Sequence, residues 1–228
     1  MERIYDCSLD TDLLTGMRLA KTSLARKQLV VIPTDTVYGL ACDAFSHQAV
    51  QELLDVKGRD KQSPPTVLIG NPSALEGLAQ DVPQVAHKLA ATFWPGALTM
   101  ILKSQPSLTW DLGETKGTVS LRMPDHKIAL ALLQETGPLA VSSANISGEP
   151  AATTCQQAEK ALGSFAKIYL DGGASPKGEV STIVDMTDLA DSVSDSGEIV
   201  TTGKAKIVRR GALSKEKLAT VLGEVLEG

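Results

Sequence analysis

The stretch VVIPTDTVYGLACDA, Val30 to Ala44, begins as a continuous apolar run and then changes to polar side chains. An apolar run without alternation is typical of a strand covered on both faces of a sheet. It is followed at once by four polar residues, Thr34, Asp35, Thr36 and Tyr38. Because sites in open α/β sheets form at the ends of strands, the stretch predicts a polar site beside a buried sheet.

Helical patterns alternate with short apolar runs along the rest of the chain. One helix is predicted between Ser46, which can cap it, and Gly58, which can end it. Thr154 and Gln157 have the spacing of a capping box at the start of another. The alternation predicts one α/β domain over residues 1–228, a mixed sheet with helices on its faces, closed by a C-terminal helix over 214–227.

Composition excludes several classes of protein. The chain has 228 residues, of which 43% are hydrophobic, enough to bury a full core. A net charge of −5 argues against a pervasive basic surface for nucleic acid. No apolar run is long enough for a membrane span, and the first residues lack a secretory pattern, so we expect a cytoplasmic chain without membrane contact. Three scattered cysteines without a CxxC pair predict neither disulfides nor zinc.

Familiar catalytic motifs are absent from the sequence. There is no GxGxxG, GxSxG or HExxH, and the P-loop-like spacing of Gly173 and Gly178 is followed by Glu179 where lysine is needed. Polar clusters at predicted strand ends supply five cations, Lys57, Arg59, Lys61, Arg122 and Arg209. They also supply one amide and six hydroxyls, on Asn145, Thr34, Thr36, Tyr38, Ser142, Ser143 and Ser181. Such a set suits a polyanion, such as a nucleoside triphosphate, together with a carboxylate.

Each cluster taken alone has a second interpretation. Lys57 and Arg59 are also typical of a helix C-terminus, where cations favour the dipole. The polar residues from Thr34 to Tyr38 are also typical of a strand-to-turn connection. The order of the clusters along one chain carries more information than any one of them.

In that order, the sequence resembles the YrdC-like family of threonylcarbamoyladenylate synthases. The matching stretches lie within about residues 10–213, which the resemblance makes the core of the domain. They are PTDTVYGLACDA, Lys57-Gly58-Arg59 with SPPTVLIG, WPGALTMIL, TVSLRMP, PLAVSSANISGEPAATT, STIVD and IVRRGAL. The chain is similar to the short, single-domain members.

The resemblance implies a fold and an activity. The fold is a twisted, open mixed α/β sheet with a large, positively charged concave face. The activity is a nucleotidyl transfer that joins L-threonine, bicarbonate and ATP into L-threonylcarbamoyl-AMP and releases pyrophosphate. A separate transferase complex then modifies the adenosine beside the anticodon of tRNA. Mg²⁺ is expected to arrive with ATP, because it keeps most of its waters and needs few protein ligands. No other cofactor and no protein metal site are expected.

The resemblance also implies roles for individual residues. The catalytic residues are Lys57, Arg59 and Arg122. The threonine contacts are Thr34, Tyr38, Arg122, Ser143 and Ser181. The ATP contacts are Lys57, Arg59, Thr118, Asn145, Thr153 and Arg209.

The sequence departs from the family pattern at a few positions. Pro64-Pro65 replaces a Pro-Leu pair, Leu68 stands where some members have histidine, and Arg210 stands where proline is common. The acidic segment 186–204 is longer than expected. We interpret it as a solvated loop, with a lid over the nucleotide as the alternative, because acidic side chains would repel a triphosphate.

Two other functions stay open on sequence grounds. The same module adenylates a carbamate derived from carbamoyl phosphate in larger hydrogenase-maturation proteins, which also carry zinc fingers that this chain lacks. An RNA-binding module is the second alternative, and a weak direct contact with tRNA is compatible with the synthase function. The acidic net charge and the missing RNA-stacking aromatic residues argue against RNA binding as the main role.

Overall fold

The computed structural model describes residues 3–58 and 64–227. Within these ranges the strands are β1 Ile4–Asp6, β2 Leu29–Ile32, β3 Gly39–Asp43, β4 Thr66–Leu68, β5 Leu98–Lys103, β6 Thr118–Arg122, β7 Leu139–Ser143, β8 Ala166–Asp171, β9 Thr182–Asp185, β10 Ala190–Val193, β11 Ile199–Thr202 and β12 Lys206–Arg209. The α-helices are α1 Asp10–Ala25, α2 His47–Val56, α3 Leu75–Leu78, α4 Gln84–Phe93, α5 Lys127–Thr136, α6 Cys155–Leu162 and α7 Lys215–Leu222. Short 3₁₀ turns are Pro72–Ala74, Gly163–Phe165 and Gly223–Val225.

Ten strands form one mixed sheet in the order β1-β8-β2-β3-β7-β4-β6-β5-β9-β12. β2 pairs parallel with β8 and antiparallel with β3, and β4 pairs parallel with β6 and antiparallel with β7. The predicted fold class, an open mixed sheet with flanking helices, is confirmed. None of the helices in the described ranges combines the length and apolar character that a membrane span needs.

The two faces of the sheet are covered unequally. Alternate residues of β2 enter two different apolar clusters, Leu29 and Val31 in one and Val30 and Ile32 in the other, which explains why this strand reads as an unbroken apolar run. The larger cluster includes side chains of α2, α3, α4, α6 and α7. The smaller cluster includes, among the described helices, only side chains of α1 and α5. One face is therefore left partly open beyond those two helices.

Several local predictions are confirmed. The Ser46 side chain accepts a hydrogen bond from the backbone N–H of Ala49 and caps α2, and Gly58 follows the helix with a φ of +58°. Thr154 and Gln157 form the capping box at the start of α6. The segment 105–117 contains no helix or strand.

Other element predictions are wrong. No strand was predicted for β1 or β3, and β3 is built from the small residues of Gly39–Asp43 with little strand propensity. The acidic segment 186–204 is not an irregular loop, because β10 and β11 pair in it as an exposed antiparallel hairpin. The C-terminal helix is shorter than 214–227: Gly223, with a φ of +52°, ends α7.

Candidate active site

A cavity of about 210 Å³ lies on the partly open face of the sheet. Five pieces of chain line it: the β2–β3 connection, β4 with the residues before it, the two strands β6 and β7, and the β9–β12 edge. Its described lining residues are Thr34, Thr36, Val37, Tyr38, Gly39, Pro64, Pro65, Thr66, Leu68, Ser120, Arg122, Val141, Ser142, Ser143, Val180, Ser181, Ile183 and Arg209. Among these described residues there is no carboxylate, and the charged side chains are the two arginines.

Arg122 ends β6 at the cavity and is 6% exposed. Its Nε donates to the carbonyl of Gly96 (2.9 Å), Nη1 to the Thr36 hydroxyl (2.8 Å) and Nη2 to Oδ1 of Asp35 (2.5 Å). A guanidinium carries five N–H donors. Three are therefore used by described residues to fix the side chain, which leaves two for other partners.

Asp35 lies behind Arg122 and is 1% exposed. Its Oδ1 also accepts from the backbone N–H of Asp125 (3.0 Å), and its Oδ2 accepts from Nζ of Lys177 (2.6 Å). Burial raises the pKa of this carboxyl, but the charge of Arg122 and the contacts with Lys177 and Asp125 outweigh it, so the pKa lies below its ordinary value. Asp35 is therefore a buried anion shared by two cations.

The threonines of the β2–β3 connection form a chain of hydrogen bonds. The Thr34 hydroxyl donates to the carbonyl of Val37 (2.6 Å) and accepts from the backbone N–H of Thr36 (3.2 Å). The two hydroxyls are 3.0 Å apart, and since Thr34 has given its proton to Val37, Thr36 donates to Thr34. Arg122 donates to Thr36 in turn. The Thr34 hydroxyl, predicted to contact threonine, is thus used within the turn, and its substrate contact stays a prediction.

Tyr38 lines the cavity, but its hydroxyl is also used within the protein. The hydroxyl donates to the carbonyl of Gly173 (2.6 Å) and accepts from the N–H of Gly172 (3.1 Å), with the Asp171 carboxylate 3.2 Å away. Burial, with Asp171 nearby, raises the pKa of Tyr38 far above its ordinary value, so the phenol stays protonated. Tyr38 ties the β8–β9 connection to the cavity wall, and its predicted contact with substrate remains untested by this geometry.

Ser181 and Arg209 meet at the other side of the cavity. The Ser181 hydroxyl lies 2.8 Å from that of Thr99, and Arg209 donates to both the hydroxyl (2.9 Å) and the carbonyl (2.8 Å) of Ser181. Arg209 is exposed, whereas Ser181 is 4% exposed. The pair holds a hydroxyl at the wall of the cavity and a cation at its rim.

Lys57 and Asn145 are hydrogen-bonded to each other at the turn that follows β7. Lys57 is fully buried, and its Nζ donates to the carbonyl of Ser143 (2.6 Å), to the Asn145 carbonyl and to the Asn145 side-chain oxygen (2.9 Å). The Asn145 amide nitrogen donates to the carbonyl of Glu149 (2.6 Å). These contacts fix the turn that follows Ser143, which itself lines the cavity. Neither Lys57 nor Asn145 lines the cavity.

The comparisons with known proteins decide the family. The model of the Sua5_yciO_yrdC family, described as "Telomere recombination", matches residues 22–211. The chain belongs to the Sua5/YrdC family. It is 43% identical to the putative threonylcarbamoyl-AMP synthase of Mycobacterium leprae, over 99% of this chain and 96% of the relative. It is 36% identical to the threonylcarbamoyl-AMP synthase of Bacillus subtilis, over 90% of this chain and 56% of the relative.

Solved structures of Sua5/YrdC proteins share the fold. Sua5 of Pyrococcus abyssi, in a doubly substituted form, superposes with a TM-score of 0.87 at 31% identity, covering 100% of this chain and 62% of that one. Sua5 of P. abyssi in complex with L-threonine gives a TM-score of 0.80 at 32% identity, over 92% of this chain and 58% of that one. This chain thus spans about three fifths of the P. abyssi protein. The predicted family is confirmed, and the predicted activity is the one for which these relatives are named.

Besides Lys57 and Asn145, two residues predicted from the Sua5/YrdC resemblance, Thr118 and Thr153, do not line the cavity. Thr118 begins β6, four residues from Arg122, and its hydroxyl donates to the carbonyl of Thr115 (2.7 Å). Thr153 lines a separate depression of about 500 Å³, formed also by Ala144 and Gly178. Arg59 lies outside the described residues. Their roles towards ATP stay predictions.

Part of the site was not predicted from the sequence. Asp35 had no predicted role, and neither Lys177 nor Ser120 was predicted to belong to the site. Ser120 could have been found, because it lies two residues before Arg122 on a strand and so shares its face. The pairing of Asp35 with Lys177 left no local signal, since the two residues are 142 positions apart.

Proposed function

We propose that this chain joins L-threonine, bicarbonate and ATP into L-threonylcarbamoyl-AMP, with release of pyrophosphate. The observation that carries the proposal is Arg122, a buried guanidinium with two N–H donors left for other partners, in a cavity without carboxylates among its described lining. A buried arginine fork suits the two oxygens of a carboxylate. Two comparisons support threonine as the ligand that supplies this carboxylate. They are the relatives named threonylcarbamoyl-AMP synthase and the complex of Sua5 with L-threonine.

The cavity suits a small amino acid in size and in lining. Its volume of about 210 Å³ is below the range of about 300–1,000 Å³ that is usual for drug-sized ligands. The Ser143 hydroxyl supplies one polar contact, and the Ser181 hydroxyl, held by Thr99 and Arg209, supplies another. Val141, Val180 and Ile183 supply apolar surface for the methyl group of threonine.

Binding by the carboxylate determines which end of threonine reacts. With its carboxylate on Arg122, the substrate has its amine free to add CO₂, and bicarbonate loses water in that step. The carbamate oxygen then attacks the α-phosphorus of ATP, the bond to the β-phosphate oxygen breaks, and pyrophosphate leaves with the electron pair. Such chemistry needs positioning, cations and exclusion of water more than it needs a protein nucleophile.

The nucleotide is proposed to bind beside the amino acid, in the depression that Thr153 lines. Neighbouring residues line the two: Ser143 and Val180 line the cavity, and Ala144 and Gly178 line the depression. Lys57 and Asn145 build the turn after Ser143, and Arg209 stands at the rim of the cavity. In the proposal these residues, with Arg59 and Thr118, bring cations and hydroxyls towards the triphosphate.

Mg²⁺ is proposed to enter with ATP. No group of three or more His, Cys, Asp or Glu side chains that could hold a metal ion occurs in the described ranges. Mg²⁺ commonly keeps several waters and binds through substrate phosphates, so the proposal assigns the ion to the triphosphate. When bound, the ion would neutralise part of the negative charge of the phosphates.

The product implies partners downstream. A mixed anhydride of a carbamate and a phosphate is reactive in water, so a transferase complex that acts on tRNA is the proposed consumer. A weak direct contact between this chain and tRNA belongs to the same proposal. We propose the cytoplasm as its location, since ATP and tRNA are present there.

Pyrophosphate release from ATP, with threonine and bicarbonate omitted in turn, tests the proposal. Release that needs both co-substrates is the expected result. Release that needs neither, or tRNA binding without any ATP turnover, contradicts it and favours the RNA-binding alternative.

Arg122→Lys extends the test to the site. We expect KM for threonine to rise roughly 10- to 100-fold, since a hydrogen bond to a charged group contributes about 1.5–3 kcal/mol. The exposed Arg18→Lys on α1 is the matched control and should leave KM unchanged. Equal threonine KM values for Arg122→Lys and wild type, in folded protein, would show that Arg122 does not bind the carboxylate.

A further inference from the structure

The Asp35 carboxylate binds two cations that come from different parts of the chain. Arg122 approaches Oδ1 at 2.5 Å from the end of β6, and Lys177 approaches Oδ2 at 2.6 Å from the β8–β9 connection. Asp35 and Arg122 are buried, whereas the Lys177 side chain is 37% exposed. The three groups together carry one net positive charge, and the cavity lies next to it.

The backbone of the β8–β9 connection is held without the ammonium of Lys177. The N–H of Lys177 donates to the carbonyl of Asp35 (3.2 Å), and the N–H of Ser175 donates to that of Thr153 (2.8 Å). The Tyr38 hydroxyl binds the carbonyl of Gly173. Because these contacts fix the path of the chain, the contact between Nζ and Asp35 has a mainly electrostatic effect.

We propose that Lys177 is a positioning residue for the carboxylate of the amino-acid substrate, acting through Asp35. With Lys177 on Oδ2, the negative charge of Asp35 is divided between two cations, and Arg122 keeps attraction for an anion in the cavity. Without Lys177, the whole carboxylate charge faces Arg122 and weakens that attraction. The inference rests on the proposed function, since it takes the carboxylate on Arg122 to be that of threonine.

A purely structural role for Lys177 predicts a different result. The β8–β9 connection lines the depression through Gly178 and the cavity through Val180 and Ser181. If Lys177 only held this connection in shape, its loss would raise KM for ATP and KM for threonine alike. An electrostatic role through Arg122 changes KM for threonine alone.

The test is Lys177→Met, with Lys177→Arg as the conservative variant and the exposed Lys160→Met on α6 as the control. We expect Lys177→Met to raise KM for threonine about three- to fivefold, as the loss of a partly exposed ion pair allows. KM for ATP and kcat should stay within about twofold, and Lys177→Arg and Lys160→Met should behave as wild type. Since the pair is partly exposed, the effect should shrink as salt is added.

Calorimetric titration of L-threonine into each variant separates this inference from the proposed function. If the Kd for threonine rises in Lys177→Met by the same factor as KM, the result supports the inference. This measurement does not depend on turnover. Unchanged threonine affinity in folded Lys177→Met, or equal increases in both KM values, overturns it while wild-type turnover still supports the synthase. If wild type neither binds threonine nor turns over, the proposed function falls and the inference falls with it.

Discussion

Asp35 is the anion that pairs with the buried guanidinium of Arg122. Removing its charge leaves that guanidinium without a counter-charge. Breaking a buried ion pair in this way costs about 3–5 kcal/mol. We therefore expect Asp35→Asn to lower the free energy of unfolding by about that amount at neutral pH, as measured by urea titration. Asp195→Asn, at an exposed turn, is the control and should have little effect. Equal stability of Asp35→Asn and wild type would contradict the ion-pair geometry.

The same carboxylate predicts a pH dependence. The pKa of Asp35 is lower in the folded protein than the ordinary value of about 3.9 for an unfolded chain. A group with a lowered folded pKa stabilises the protein fully above its unfolded pKa, and this stabilisation is lost as pH falls through the folded value. The stability difference between wild type and Asp35→Asn should therefore be constant near neutral pH and shrink below about pH 4. Urea midpoints over a pH series measure it.

The apolar wall of the cavity predicts a preference for threonine over serine. Val141, Val180 and Ile183 surround space that serine, which lacks the methyl group, would leave unfilled. One methyl group in an apolar pocket is worth about 1–3 kcal/mol, so kcat/KM should be roughly 10- to 200-fold higher for threonine. Pyrophosphate release with each amino acid gives the ratio. Equal kcat/KM values would mean that the methyl group does not contact this wall.

At the residue scale, the sequence predicted which side chains line the cavity better than it predicted their hydrogen-bond partners. Arg122, Ser143 and Ser181 were predicted from polar clusters at strand ends, and all three line the cavity. The hydroxyls of Thr34 and Tyr38 are instead used by neighbouring backbone, because a buried hydroxyl must find a partner wherever the turn supplies one. Such partners depend on tertiary structure and leave no periodic signal in the sequence.

Among the elements, strands with neither alternation nor a run of large apolar residues were the hardest to predict. β3 is buried along almost its whole length and is made of small residues, so neither alternation nor β-branched side chains reveal it. The β10–β11 hairpin is exposed on all but one of its paired positions and acidic, which resembles a loop in composition. Helices with caps, such as α2 and α6, were predicted correctly because a cap is a local chemical feature.

The β10–β11 hairpin is expected to be dispensable for turnover. None of its described residues lines the cavity or the depression beside it, and its link to α4 is a hydrogen bond from the N–H of Gln84 to Asp191. Ala190 and Thr202 are paired, so an Asn-Gly turn can join them in place of residues 191–201. This shortened chain should keep threonine-dependent pyrophosphate release within about twofold, since it changes no residue of the site. A large loss of kcat in a folded shortened chain would support the lid alternative.

On the scale of the whole molecule, the site follows from the uneven covering of the sheet. Side chains of five described helices enter the larger apolar cluster and those of two enter the smaller, so the centre of one face stays open for a ligand. The alternation of helices and apolar runs was enough to predict an α/β sheet with covered faces. It could not give the strand order, because pairings such as β8 with both β1 and β2 join distant parts of the chain.

The central claim is that threonine binds by its carboxylate and reacts through its amine. Mass analysis of the adenylate formed from ATP, L-threonine and ¹³C-labelled bicarbonate tests this most directly. We predict a threonylcarbamoyl-AMP that contains one ¹³C atom and that disappears when bicarbonate is omitted. An unlabelled threonyl-AMP, formed whether or not bicarbonate is present, would show that the carboxylate itself reacts and would contradict the assignment of Arg122.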